Sequence, residues 1–127
     1  MANVLIVDDD RDLAQALAEV LVFEGHETTI ARHGREGLAR IYERKPDLIL
    51  LDVEMPVLDG PAMARRLLAF EAAGDATPII LVSGIPRLAA LAASMGTPFF
   101  LRKPFTTETL LQMVANALGR PSGTVES

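Results

Sequence analysis

Residues 48–60 read Leu-Ile-Leu-Leu-Asp-Val-Glu-Met-Pro-Val-Leu-Asp-Gly. The first four are apolar without a break, which is strand length, and no polar residue alternates with them. A strand of that kind is buried on both faces, as in a parallel sheet covered by helices. The run ends in a carboxylate, Asp52, and turn chemistry follows at Met55-Pro56 and Asp59-Gly60. A charged residue closing a fully buried strand belongs at the rim of a sheet, where open α/β folds place their ligand sites.

Outward from this segment the pattern repeats. Val4-Leu5-Ile6-Val7, Ile79-Ile80-Leu81-Val82 and Phe99-Phe100-Leu101 are runs of the same kind, while the more polar Glu27-Thr28-Thr29-Ile30-Ala31 suits an edge strand. The stretches between them carry helical periodicity. Leu13, Leu17, Val20 and Leu21 predict a first helix stopped by Gly25, and Gly37, Leu38, Ile41 and Tyr42 a second ended by Pro46. Met63, Leu67, Leu68 and Phe70 predict a third ending near Gly74. Leu88, Leu91, Ala92 and Met95 predict a short fourth stopped by Gly96 and Pro98, with some exposed apolar surface as a hint of a partner face. Leu110, Leu111, Val114 and Leu118 predict a fifth, with Thr106 or Thr107 as N-cap and Gly119 as C-cap. Alternation of five strands with five helices, joined by right-handed crossovers, gives a doubly wound α/β sandwich with a five-stranded parallel sheet. Strand order 2-1-3-4-5 is the common solution at this size, although periodicity does not select it. Residues 1–119 are expected to form one domain. Residues 120–127, with Pro, Ser and Gly and no periodicity, are expected to be a flexible tail or linker stub.

The chain has 127 residues, one domain's worth, and a formal net charge of -5. That charge argues against a general nucleic-acid binder, which needs a basic face. With no cysteine, disulfides and thiolate metal sites are excluded. The start lacks a basic n-region and a long apolar run, and no stretch reaches the length of a membrane span. The expectation is a soluble, cytoplasmic protein with no nucleic-acid or membrane partner.

Each buried strand is followed by chemistry-bearing residues. The first is followed by Asp8-Asp9-Asp10, the third ends in Asp52, the fourth is followed by Ser83-Gly84, and the fifth by Arg102-Lys103-Pro104. In a parallel sheet these ends lie along one edge, so carboxylates, a hydroxyl and an ammonium converge there. Crowded carboxylates repel one another, and a hard divalent cation that keeps some of its waters, Mg²⁺, relieves this. Asp52 is then a candidate nucleophile for an aspartyl-phosphate, with Ser83 and Lys103 each able to bind a phosphoryl oxygen. Each feature alone has a plainer explanation: an acidic run caps a helix, Asp-Gly makes a turn, and a lone Ser or Lys says little. The complementary set at one edge carries the weight. His26 and His33 lack ligand partners at metal spacing and are expected at the surface, and Met55 and Met63 are expected to pack.

Val-Asp-Asp at 7–9, Leu-Asp-Val-Glu-Met-Pro-Val-Leu-Asp-Gly at 51–60, Val-Ser-Gly at 82–84 and Lys-Pro-Phe at 103–105 together resemble the receiver domain of bacterial response regulators. The likeness runs from residue 3 to residue 119 and includes the flavodoxin-like strand order 2-1-3-4-5. It implies that Asp8 and Asp9 form an acidic pair, that Asp9 and Asp52 ligate Mg²⁺ with the Glu54 backbone carbonyl, and that Asp52 is the phosphoacceptor. It also implies Ser83 as switch hydroxyl, Lys103 as phosphate-binding lysine, a cis Lys103-Pro104 bond, and a switch aromatic at Phe100, where Tyr is frequent. The partners implied are a histidine kinase or histidine phosphotransfer protein and, downstream, a protein partner or effector domain. The segment from Ser83 to Phe100 is shorter than in many such domains, which implies a short or displaced fourth helix. Glu54 and Ile85 would flank the path of a hydrolytic water, and neither suits orienting one, so a long-lived phosphoryl group is expected.

The competing readings come from other classes. A haloacid-dehalogenase-type Mg²⁺ phosphatase would use Asp52 with Glu54, but leaves the acid pair after the first strand unexplained; hydrolysis of a generic phosphomonoester discriminates it. A flavin-binding module is opposed by three aspartates where a phosphate loop belongs, and an unphosphorylated interaction module by an intact acid set. The chain is therefore expected not to be a turnover enzyme on an external substrate. With no output domain in residues 1–127, it either acts alone on a partner or belongs to a longer regulator.

Overall fold

The computed structural model describes residues 2–53 and 77–119. Three of the four apolar runs form β1 (Asn3–Val7), β3 (Leu48–Asp52) and β4 (Ile79–Ser83), and each of these strands is buried along its whole length. With β2 (Glu27–Ala31) and β5 (Phe99–Arg102) they make a five-stranded sheet in the order β2-β1-β3-β4-β5. All four neighbouring pairs are parallel. Side-chain alternation sorts the strands into two cores. Val4, Ile6, Leu48, Leu50, Ile80, Val82 and Leu101 face α1 (Arg11–Phe23) and the helix Thr107–Ala117. Leu5, Val7, Ile49, Leu51, Ile79 and Leu81 face α2 (Gly34–Glu43) and α3 (Leu88–Ser94); the Thr107–Ala117 helix is α4. The sheet is thus wound on both sides, which is why its central strands are apolar at successive positions and carry polar residues only at their ends. Each fully buried Leu or Ile there contributes about 1.5–3 kcal/mol relative to exposure.

Local chemistry sets the helix ends. Asp10 caps α1 by accepting the Leu13 N–H at 3.1 Å, and Thr106 caps α4 by accepting the Thr109 N–H at 3.0 Å. Gly25 and Gly119 follow α1 and α4 with φ of 96° and 81°, the left-handed conformation that suits glycine. Leu118 rather than Gly119 is the C-cap of α4, with the glycine one place beyond. α3 is seven residues long, as short as the resemblance implies. The helix expected over Met63, Leu67, Leu68 and Phe70, the turn at Asp59-Gly60, Met55 and the tail 120–127 lie outside the described residues.

Three expectations change. Phe99 and Phe100 are half-buried rather than enclosed, because strand order puts β5 at the sheet edge. Tyr42 is 68% exposed although it falls on the apolar periodicity of α2; the buried face of that helix is Gly34, Gly37 and Ile41. The two histidines are half-buried structural acceptors rather than surface residues. His33 Nδ1 caps α2 by accepting the Glu36 N–H at 3.2 Å, and His26 Nδ1 accepts the Ala2 N–H at 3.1 Å, joining the α1–β2 turn to the start of β1.

Candidate functional site

The register brings the strand ends level. Val7 lies opposite Leu51, Asp52 opposite Val82, and Ser83 opposite Arg102. Asp8 is thus the first residue past β1 and lies beside the last residue of β3. Its N–H donates to the Ala31 carbonyl at 3.0 Å, extending the β1–β2 ladder by one residue and holding Asp8 at 3% exposure. Asp8 Oδ1 accepts the Asp10 N–H at 2.9 Å. The acidic run therefore divides its work: Asp10 caps the helix, Asp8 is buried at the rim, and Asp9 opens to solvent.

Carboxylate oxygens of Asp8, Asp9 and Asp52 lie within 4.8 Å of one another. Lys103 Nζ is 3.9 Å from Asp8 Oδ2 and 4.0 Å from Asp52 Oδ2. The lysine is aimed from the end of β5, where its N–H donates to the Ser83 carbonyl at 2.9 Å and the Lys103-Pro104 bond is cis. Ser83 is buried, and its Oγ accepts the Ile85 N–H at 3.2 Å. Phe100 is half-buried and packs with the α2–α3 core, to which Ile85, Leu91 and Met95 also contribute. Glu54 lies outside the described residues.

Burial pushes the Asp8 carboxyl above its ordinary value of 3.8. The Asp10 N–H, the Lys103 ammonium and a hydrogen bond with Asp52 oppose this only in part, and Asp9 adds to the rise. Three hard oxygen donors so close suit a divalent cation of the Mg²⁺ type, which takes a few carboxylates and keeps water. The cluster opens into a cleft of about 590 Å³ lined by Asp9, Asp10, Asp52, Gly84, Ile85, Pro86 and Lys103. No helix among the described residues is long and apolar enough to cross a membrane.

Fold and rim together define a doubly wound α/β domain of the flavodoxin-like class with an acidic, lysine-bearing C-terminal edge. Residues 4–115 match the family model of the response regulator receiver domain, and the chain belongs to that family. It is 36% identical over 120 residues to the response regulator MprA of Mycolicibacterium vanbaalenii, covering 93% of this chain and 51% of that protein. MprA of Mycobacterium bovis is 35% identical over 129 residues, covering 98% and 55%. The chain thus spans about half the length of the curated relatives it matches. Among solved structures, the chemotaxis protein CheY4 of Vibrio cholerae superposes with a TM-score of 0.82 at 32% identity, covering 92% of this chain and 98% of that one. The receiver domain of NtrX from Brucella abortus superposes at 0.83 and 32% identity, covering 91% and 98%. This is a response regulator receiver domain of two-component signalling.

Proposed function

We propose that Asp52 accepts a phosphoryl group from a partner histidine kinase or histidine phosphotransfer protein in a Mg²⁺-dependent reaction. The observation that carries this reading is the convergence of Asp8, Asp9 and Asp52 with Lys103 at the mouth of the cleft. An oxygen of the Asp52 carboxylate attacks phosphorus, the phosphorus–nitrogen bond of the donor histidine breaks, and the imidazole leaves with the electron pair. Lys103 and Ser83 hold phosphoryl oxygens as an ammonium and a hydroxyl donor. Asp8, Asp9 and Asp52, with the Glu54 backbone carbonyl that the family resemblance adds, are the candidate ligands of Mg²⁺. That ion, when bound, screens the carboxylates from the incoming anion. Residues 1–119 then act as the receiver unit and 120–127 as a tail or linker, in the cytoplasm. The output goes to a protein partner or to an effector domain of a longer regulator.

Incubation with acetyl phosphate and Mg²⁺ is expected to add one phosphoryl mass to the intact chain, and a chelator to prevent it. The raised Asp8 carboxyl predicts how this depends on pH. A proton held on Asp8 competes with the metal, so Mg²⁺ affinity falls as pH drops through the Asp8 range, starting above the ordinary carboxylate value of 3.8. Stability of the metal-free fold runs the other way. The folded state binds the extra proton, so Asp8 costs stability as pH rises from 3.8 through the raised value. Mg²⁺ titrations by calorimetry at a series of pH values check the first trend; an affinity flat across the acid range contradicts it.

The same reading includes a switch through Ser83, Phe100 and Pro104. Ser83 is the buried end of β4, and Phe100 is a half-buried ring on the neighbouring strand, packed against the same core as Ile85, Leu91 of α3 and its C-cap Met95. A shift of Ser83 toward a phosphoryl oxygen makes room that the ring can fill, a two-state repacking of the face formed by α3, β5 and α4. Beryllofluoride with Mg²⁺ is expected to move chemical shifts across residues 86–118 in the unsubstituted protein and much less in Ser83→Ala. Changes confined to the surroundings of Asp52 would place the output elsewhere.

A further inference from the structure

Arg102 is the last residue of β5 and lies opposite Ser83. Alternation puts its side chain on the same sheet face as Phe100. Its Nη2 donates to the Pro86 carbonyl at 2.8 Å, a charge-assisted hydrogen bond across 16 residues of sequence. Pro86 belongs to the loop between β4 and α3. The near end of that loop is tied by Lys103 N–H to the Ser83 carbonyl at 2.9 Å, and by Ile85 N–H to Ser83 Oγ at 3.2 Å. At its far end α3 begins from Arg87 with no side-chain cap. The guanidinium therefore supplies the tether that helix capping does not. Gly84, Ile85 and Pro86 line the cleft that also borders Asp9, Asp52 and Lys103.

We propose that Arg102 is a positioning residue: through Pro86 it holds the β4–α3 loop against β5 and limits the access of water to a phosphoryl group on Asp52. The inference rests on Asp52 being the phosphoacceptor. In hydrolysis, a water oxygen attacks phosphorus while the bond from phosphorus to the Asp52 oxygen breaks. The carboxylate recovers the electron pair, and the proton of the water leaves with the phosphate. Such a water enters through the cleft. Ile85 and Pro86 offer it no polar side chain, so while the loop is held their wall excludes water without orienting it. With Pro86 released, the wall moves and solvent reaches the acyl phosphate.

The test labels the unsubstituted chain, Arg102→Ala and Arg102→Lys with acetyl phosphate and Mg²⁺, removes the donor, and follows decay by intact mass. Arg102 is exposed, so neither change opens the core. Arg102→Ala is expected to shorten the lifetime about fivefold, the population shift that one charge-assisted hydrogen bond can impose. Arg102→Lys, which puts an ammonium donor in place of the guanidinium, is expected to restore most of it. Amide hydrogen exchange at Gly84, Ile85 and Arg87 of the unphosphorylated protein should quicken in the alanine variant and not in the lysine variant. Decay of Arg102→Ala at or below the unsubstituted rate, or equal decay of the two variants, overturns the latch. If the unsubstituted chain takes up no phosphoryl group, the Asp52 assignment fails and the latch falls with it. Normal labelling with unchanged decay in Arg102→Ala rejects the latch alone.

Discussion

Asp52→Asn is expected to take up no phosphoryl group under conditions where the unsubstituted chain gains one. The amide matches the carboxylate in shape but has no anionic oxygen to attack phosphorus. Its loss is therefore chemical rather than structural, and the fold has reason to tolerate it. Asp52 is 5% exposed and Asp8 beside it is buried too, so the substitution removes one of two buried acids while Asp8 keeps Lys103 within 3.9 Å. The thermal midpoint at neutral pH should not fall below that of the unsubstituted protein. Intact mass spectrometry reads the labelling, and a melting curve on the same sample excludes unfolding as the cause. Full labelling of a folded Asp52→Asn chain would move the nucleophile to another carboxylate, with solvent-facing Asp9 the first to examine.

The parts of the fold legible in the sequence were those that burial on both faces dictates. β1, β3 and β4 carry uninterrupted apolar runs because helices cover both sides of them, and residues 48–52 alone announce that environment. β5 carries the same kind of run and yet lies half-open, because edge position follows from strand order, which no local pattern encodes. The site was legible for a topological reason. Parallel strands end on one side, so residues 8, 52, 83 and 103 could be grouped without knowing any distance, although Glu54 remains outside the described residues. What stayed hidden depends on where a side chain reaches. His33 as a helix cap and His26 as an acceptor for Ala2 give no spacing signal, since imidazole is an uncommon choice for either task. Arg102 likewise sits beside the lysine that drew attention, and it is its 2.8 Å contact with Pro86, which no spacing announces, that singles it out.

Lys103→Met is expected to move two properties in opposite directions. The ammonium lies 3.9 Å from Asp8 Oδ2 and 4.0 Å from Asp52 Oδ2, so it is at once a counter-ion to the metal-free acids and a competitor for any cation they bind. Without it, Mg²⁺ enters a site with one less positive charge and should bind more tightly. Phosphoryl uptake should instead slow by about a hundredfold or more, because the donor that meets charge developing on a phosphoryl oxygen is gone. The Asp8 carboxyl, already raised by burial, loses one of the influences that hold it down and rises further. Tighter Mg²⁺ binding should therefore be clearest well above the Asp8 range and shrink as pH falls, since a more firmly held proton then opposes the metal. Calorimetric Mg²⁺ titration and the labelling rate, measured on one preparation, decide the matter. General damage to the fold would weaken both, and a lysine with no part in transfer would leave labelling unchanged. Opposite movement of the two is the signature of a cation placed to receive the phosphoryl group rather than to hold the strand ends together.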